Sequence, residues 1–198
     1  MDQSVEKKIK DAIWVAKSLF QRGKATGSVA NLSFLHEGKM YVTATGTCFG
    51  NLKHEEFAVL DMDGRQYGDI KPSKEWPLHL SVYKAKPNAG AVLHVHSTYS
   101  VLWSCLPGLN ESDCMPDHTP YLKMKLGTVG LIPYEQPGSQ ELFTVFEKRV
   151  NASDGWLLSH HGPVVPGKSI MEAFFALEEL EESAHIAWEL RKVKVNTE

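Results

Sequence analysis

The stretch Ala91–Ser97, "AVLHVHS", constrains the fold more than any other part of this chain. It is a short apolar run of β type, and such a run belongs in the middle of a sheet. Side chains on a strand alternate between faces, so His94 and His96 point one way and Val95 the other. A strand serving structure alone would gain more from Val or Ile at both positions. Imidazole nitrogen is a favoured zinc ligand, and two rings on one face can chelate a single ion. The same two rings could instead hydrogen-bond to backbone or carboxylates.

Other elements surround this strand. Residues 4–22 carry a helical stripe of Ile9, Ile13, Ala16 and Phe20, with Gly23 as a stop. "NLSF", "KMYVTATG" and "FAVLDMDG" read as strands, the last closing in an Asp-Gly turn. "KEWPLHLSVYKAK" is helical if Pro77 falls in its first turn. "GLIPY" is a short strand, and "SQELFTVFEKRV" a helix capped by Ser139. Residues 105–128 show no regular pattern. "GWLLSHHGPVV" reads as one strand interrupted at His161-Gly162-Pro163. The long last helix opens with Ser169 and Glu172 in a capping box and lines one face with Ala173, Leu177, Leu180 and Ala184. Its Glu178, Glu181 and Glu182 are most simply a solvated or subunit-facing surface. There is no internal repeat or linker, so residues 1–198 are expected to form a single α/β domain.

Charge and composition remove several functions. The net charge is −3 over 198 residues, which gives no general attraction to nucleic acid or anionic lipid. No apolar run is long enough for a membrane helix, and "MDQSVEKKIK" lacks the apolar core of a signal peptide. Cys48, Cys105 and Cys114 are odd in number and lack metal-site spacing, as expected of reduced thiols in a cytoplasmic protein.

Three further features bear on chemistry. His160 and His161 stand beside Gly162, and alternation allows only one of them to share the face of the first pair. A histidine next to a glycine at a strand end suggests close approach to something small. Glu75 stands just before a helix and is the leading carboxylate to complete a metal set, although a glutamate there is also favoured by the helix dipole alone. "GSVANLSF", "TATGT" and "KPSK" are turns whose N–H groups and hydroxyls could hold a phosphate, but none is a Walker or dinucleotide fingerprint.

From Gly27 to Leu190 these motifs, together with "KPSKEWPLHLSVY", "HVHS" and "SHHGPVV", resemble the class II aldolase/adducin family in order and spacing. The resemblance implies a three-layer α/β/α sandwich around a mainly antiparallel sheet, and a homotetramer with sites between subunits. It implies that His94, His96 and His161 bind one Zn2+ per subunit, with manganese or cobalt also open to such a site, and that Glu75 is acid/base and further ligand. It places Asn31, Thr45, Gly46 and Ser73 in the phosphate-binding turns. The aldolase and epimerase of the family have a serine where Lys74 stands, and use a tyrosine in a C-terminal tail; here the last tyrosine is Tyr134. "KPSKE", "HVHSTYSVLWSCLPG", "TPYLKMKLG", "GLIPYEQPG", "HHGPVVPGKS" and "ALEELEESA" resemble instead the sugar-acid catabolic branch that decarboxylates 3-oxo-tetronate 4-phosphates.

That branch implies loss of CO2 from a β-keto acid through an enediolate held by zinc, giving dihydroxyacetone phosphate. The proton that follows would come from Glu75, through a raised pKa or a relaying water. Lys74 would hold the substrate carboxylate or phosphate. Tyr121 would reach a neighbouring subunit's site, whereas Lys123 and Lys125, in a loop with several charges, are most simply exposed. The rivals are a zinc aldolase, epimerase or dehydratase acting on a phosphorylated sugar and, more remotely, a non-catalytic scaffold like the adducin head, which would have lost the metal ligands.

Overall fold

The structure is a computed structural model and describes residues 3–193. The ends of the expected 1–198 domain, residues 1–2 and 194–198, lie outside the described residues. Helix α1 (Gln3–Gln21) precedes strands β1 (Asn31–His36), β2 (Lys39–Thr43), β3 (Phe57–Asp61) and β4 (Gln66–Tyr67). Helix α2 (Trp76–Ala85) leads into β5 (Ala91–His94) and two short helices, α3 (Thr98–Ser104) and α4 (Tyr121–Lys125). Then follow β6 (Val129–Ile132), α5 (Gln140–Arg149), β7 (Gly155–Leu158), β8 (Gly162–Gly167) and α6 (Ile170–Leu190).

The strands make one sheet in the order β4-β3-β2-β1-β5-β8-β7-β6, in which only β6 and β7 pair in parallel. β5 lies inside it, between β1 and β8, as its apolar run demands. Alternation divides its side chains between two cores. Ala91 and Leu93 pack with α1, α3, α4 and α6, while Val92 packs with α2 and α5 on the opposite face. The result is the expected three-layer sandwich. Among the described residues no helix is long and apolar enough to cross a membrane, and Cys48, Cys105 and Cys114 are unpaired thiols.

Several local expectations are corrected. The buried row of α1 is Val5, Ile9, Ala12, Val15, Ala16 and Leu19, whereas Phe20 is 38% exposed. Two adjacent rows of this helix are apolar, and packing against the sheet and α6 selects between them. Residues 105–128, expected to be irregular throughout, contain α4, and α3 stands just before them. "GWLLSHHGPVV" is not one strand but two, β7 and β8, which pair antiparallel across a reversal at Ser159-His160-His161. Glu181 is buried, at 5% exposure, rather than on the surface. It accepts the backbone N–H groups of Tyr99 and Ser100, both at 2.9 Å, and the Ser100 hydroxyl at 2.7 Å. These are the otherwise unsatisfied donors of the first turn of α3, so a distant carboxylate anchors that helix.

Candidate metal centre

Four segments bring the chemistry together on the α2 side of the sheet. β5 ends at His94, and His96 lies two residues on in extended chain. β1 runs beside β5 with Asn31 opposite His94. Glu75 is the N-cap residue of α2, and Pro77 sits in that helix's first turn where its missing N–H does no harm. The β7–β8 reversal delivers His161. Gly162 is essential there: a Cβ at this position would lie 2.2 Å from the Val95 carbonyl oxygen. The close approach expected at this glycine is therefore to the neighbouring strand, which draws His161 against His96. His160 adopts φ 58° and turns outward, with its ring edge-on to Tyr134.

The donor atoms converge. Nε2 of His94 lies 3.2 Å from Nε2 of His96 and 3.3 Å from Nε2 of His161. Glu75 Oε2 is 3.2 Å from His94 Nε2, and Oε1 is 3.4 Å from His161 Nε2. One donor atom from each of the four residues lies within 4.8 Å of all the others. Donors about 2.0–2.1 Å from a tetrahedral zinc stand about 3.3 Å apart, so the spacing fits one divalent ion. Two further features agree. His94 Nδ1 lies 2.9 Å from the Pro163 carbonyl, which as an acceptor leaves the Nε2 lone pair facing the centre. Glu75 Oε1 is buried without a hydrogen-bond partner.

The electrostatics follow from crowding. Burial, reinforced by the His94 ring, pushes His96 down to about 4 and His161 down to about 3. Both rings are thus neutral and able to ligate. Burial opposes the charge on Glu75, but His94, His161 and the Asn31 amide outweigh it and hold the carboxyl well below the usual range. This corrects the expectation of a raised pKa: Glu75 is an anion, and a proton routed through it must come by way of water.

A cleft of about 330 Å³ opens beside these ligands and is lined by Asn31, Thr45, Gly46, Ser73 and Lys74 as well as Glu75, His96 and His161. All the residues expected at the site from this chain's own turns therefore border one space. The backbone N–H groups of Thr45 and Ser73 are engaged by Lys71 O and Thr43 O, so these two residues offer hydroxyls. Asn31 is buried and donates from Nδ2 to Glu75 Oε2 at 3.2 Å, tying the turn to the ligand set. Lys74 is exposed on the rim. Tyr121 is not brought to this cleft; it lies on α4, 58% exposed. Lys123 is paired with Asp113 and Asp117 of its own chain. Pro137 and Gly138, in the loop between β6 and α5, complete the wall and were not expected there. Their only sequence signal is the Pro-Gly turn itself.

Comparison with known proteins gives consistent matches. The profile of the Class II Aldolase and Adducin N-terminal domain covers residues 10–188. The 3-oxo-tetronate 4-phosphate decarboxylase of Escherichia coli K12 is 43% identical over 173 residues, spanning 87% of this chain and 82% of that protein. The crystal structure of YgbL from Klebsiella pneumoniae superposes with a TM-score of 0.92 at 36% identity, covering 96% of this chain and 93% of that one. An L-fuculose 1-phosphate aldolase superposes with a TM-score of 0.86 at 25% identity, covering 96% and 89%.

Proposed function

Because the chain belongs to the class II aldolase and adducin family, we propose that it is a metal-dependent carbon–carbon lyase that decarboxylates a 3-oxo-tetronate 4-phosphate to dihydroxyacetone phosphate and CO2. The observation that carries this is the convergence of one donor atom each from Glu75, His94, His96 and His161, all within 4.8 Å of one another, beside a cleft that also carries hydroxyls and a lysine. The similarity to a decarboxylase over most of the chain favours CO2 as the leaving group. An adducin-like scaffold would have no need of an intact ligand set.

The substrate has a ketone β to its carboxylate. Breaking the bond between C1 and C2 releases CO2 and leaves its electron pair in an enediolate across C2 and C3. Glu75, His94, His96 and His161 would hold a divalent cation, Zn2+ by this three-nitrogen, one-carboxylate donor set, which would supply Lewis acidity at the ketone. The chain's own residues do the rest. The Thr45 and Ser73 hydroxyls, with Gly46, bind the phosphate. Lys74 holds the substrate carboxylate at the rim, away from the ligand cluster, where coordination would stabilise the ground state and slow its loss. Glu75, an anion, orients a water that gives a proton to C2 and completes dihydroxyacetone phosphate, and the hydroxide left behind takes a proton from solvent. Asn31 keeps the Glu75 carboxylate in place.

The assembly is proposed to be a cytoplasmic homotetramer in which Tyr121, exposed and outside its own cleft, reaches the site of a neighbouring subunit. The direct test offers the zinc-loaded protein a 3-oxo-tetronate 4-phosphate and a ketose 1-phosphate in parallel. Equimolar CO2 and dihydroxyacetone phosphate from the first supports the proposal. Aldehyde release from the second, with no CO2 from the first, replaces it with an aldolase.

A further inference from the structure

Behind the metal ligands lies a buried polar chain of which the reaction above uses only the Glu75 and Asn31 end. Glu75, the N-cap of α2, and His79 and Tyr83 on it stand four residues apart and form one stripe. Asn31 and Ser33 stand two apart on β1 and face the same way. Four residues of helix rise about 6 Å, and two of strand rise about 6.6 Å, so the two rows mesh. Asn31 Oδ1 lies 2.6 Å from His79 Nε2, and Ser33 Oγ lies 2.7 Å from both His79 Nδ1 and Tyr83 OH. His79 and Ser33 are wholly buried, and Asn31 and Tyr83 nearly so.

Only one arrangement of protons satisfies every atom. The Glu75 carboxylate can only accept, so Asn31 must turn its N–H2 toward it. Asn31 Oδ1 then faces His79, whose Nε2 must carry a hydrogen. Nδ1 is left as acceptor for the Ser33 hydroxyl, whose oxygen accepts in turn from Tyr83. Burial first, and then the nearby His94, push the His79 ring down to about 3, in keeping with a neutral imidazole. An imidazole with its hydrogen on Nδ1 would invite the opposite flip of Asn31 and set a carbonyl oxygen against the carboxylate.

We infer that His79 is a positioning residue for the metal centre: it holds the Asn31 carboxamide with its N–H toward Glu75 and thereby fixes the Glu75 carboxylate against the three histidines. The inference rests on the metal-dependent reading of the site but not on which substrate the site accepts.

Two measurements decide it, and neither uses turnover. Long-range proton–nitrogen NMR of the wild-type, metal-free chain should find the His79 hydrogen on Nε2; a hydrogen on Nδ1 overturns the inference. Zinc affinity by competition with a chelating dye should fall about 10–100-fold in His79→Leu, the range for loss of an outer partner of a metal ligand. His79→Gln, which can keep an N–H toward Asn31, should stay within a few-fold of wild type. In an Asn31→Ala background, His79→Leu should bring no further loss, because its effect passes through Asn31. Losses that multiply in the double variant, or wild-type affinity in His79→Leu, overturn the inference. Should His79→Leu fail to fold, the glutamine variant and the wild-type NMR still decide. Failure of the wild type to release CO2 would count against the proposed reaction and leave these results standing.

Discussion

Replacing Glu75 by Gln separates the fold from the chemistry at one position. The side chain makes no cap hydrogen bond to α2, and Oε1 has no hydrogen-bond partner. The one bond it accepts, from Asn31 to Oε2, can be kept by the amide oxygen of Gln. The metal-free variant should keep the fold but melt below wild type, since Gln lacks the charge that His94 and His161 favour. Its chemistry should change far more. A positioned acid or base contributes about 10²–10⁴-fold, or about 2.7–5.5 kcal/mol of barrier at 1.36 kcal/mol per tenfold. The assay follows CO2 release, with the zinc content of each sample measured so that a lost ion is not mistaken for lost proton delivery. Run in D2O, the wild type should place one deuterium on a single face of the new CH2OH carbon, because Glu75 directs the water from one side. The variant should turn over slowly and label both faces. Zinc-loaded Glu75→Gln with wild-type rate and single-face labelling would refute the role given to Glu75.

Three other outcomes follow from the same geometry. Gly162→Ala should destabilise the chain by about 1–3 kcal/mol, the usual cost of overpacking, and should weaken zinc binding because the Val95 carbonyl forces His161 away; unchanged melting and affinity would contradict this. Glu181→Ala removes a charged acceptor from two backbone N–H groups and a hydroxyl and should cost about 3 kcal/mol in urea unfolding. Acid should destabilise the metal-free protein, since folded His79 titrates at about 3 and its unfolded counterpart near 6.5. Between those values the unfolded chain holds the extra proton, so stability rises with pH across that window and is lost as pH falls below about 6.5; His79 alone accounts for about 2 kcal/mol of loss between pH 7 and pH 5. Glu75, held low by its histidines, adds to the loss at still lower pH, and equal urea midpoints at pH 7 and pH 5 would exclude the effect.

The features legible in the sequence are those written locally. Alternation along "AVLHVHS" is enough to put His94 and His96 on one face, and Ser139 and Ser169 mark helix starts where their hydroxyls do accept from Leu142 and Glu172. The features that were hidden depend on what lies across the fold. Glu181 sits in a run of glutamates, and its burial follows only from the first turn of α3 arriving beside it. The reversal at Ser159–His161 joins strands too alike in composition to be parted by pattern, and one turn residue is a histidine at positive φ rather than a glycine. His79 looks like a polar interruption in an apolar helix until β1 is laid against α2 in register. The cleft itself was expected from its turns, whereas Pro137 and Gly138 reach it only because the β6–α5 loop passes over Lys74.

The central claim is that Glu75, His94, His96 and His161 hold one divalent ion. Anomalous X-ray diffraction at the zinc edge, on crystals grown with one equivalent of Zn2+ per chain, tests it most directly. A single peak about 2.0–2.1 Å from the three Nε2 atoms, with a Glu75 oxygen as fourth ligand or close beside it, is the predicted result. A peak elsewhere, or none at these four residues, would contradict the account.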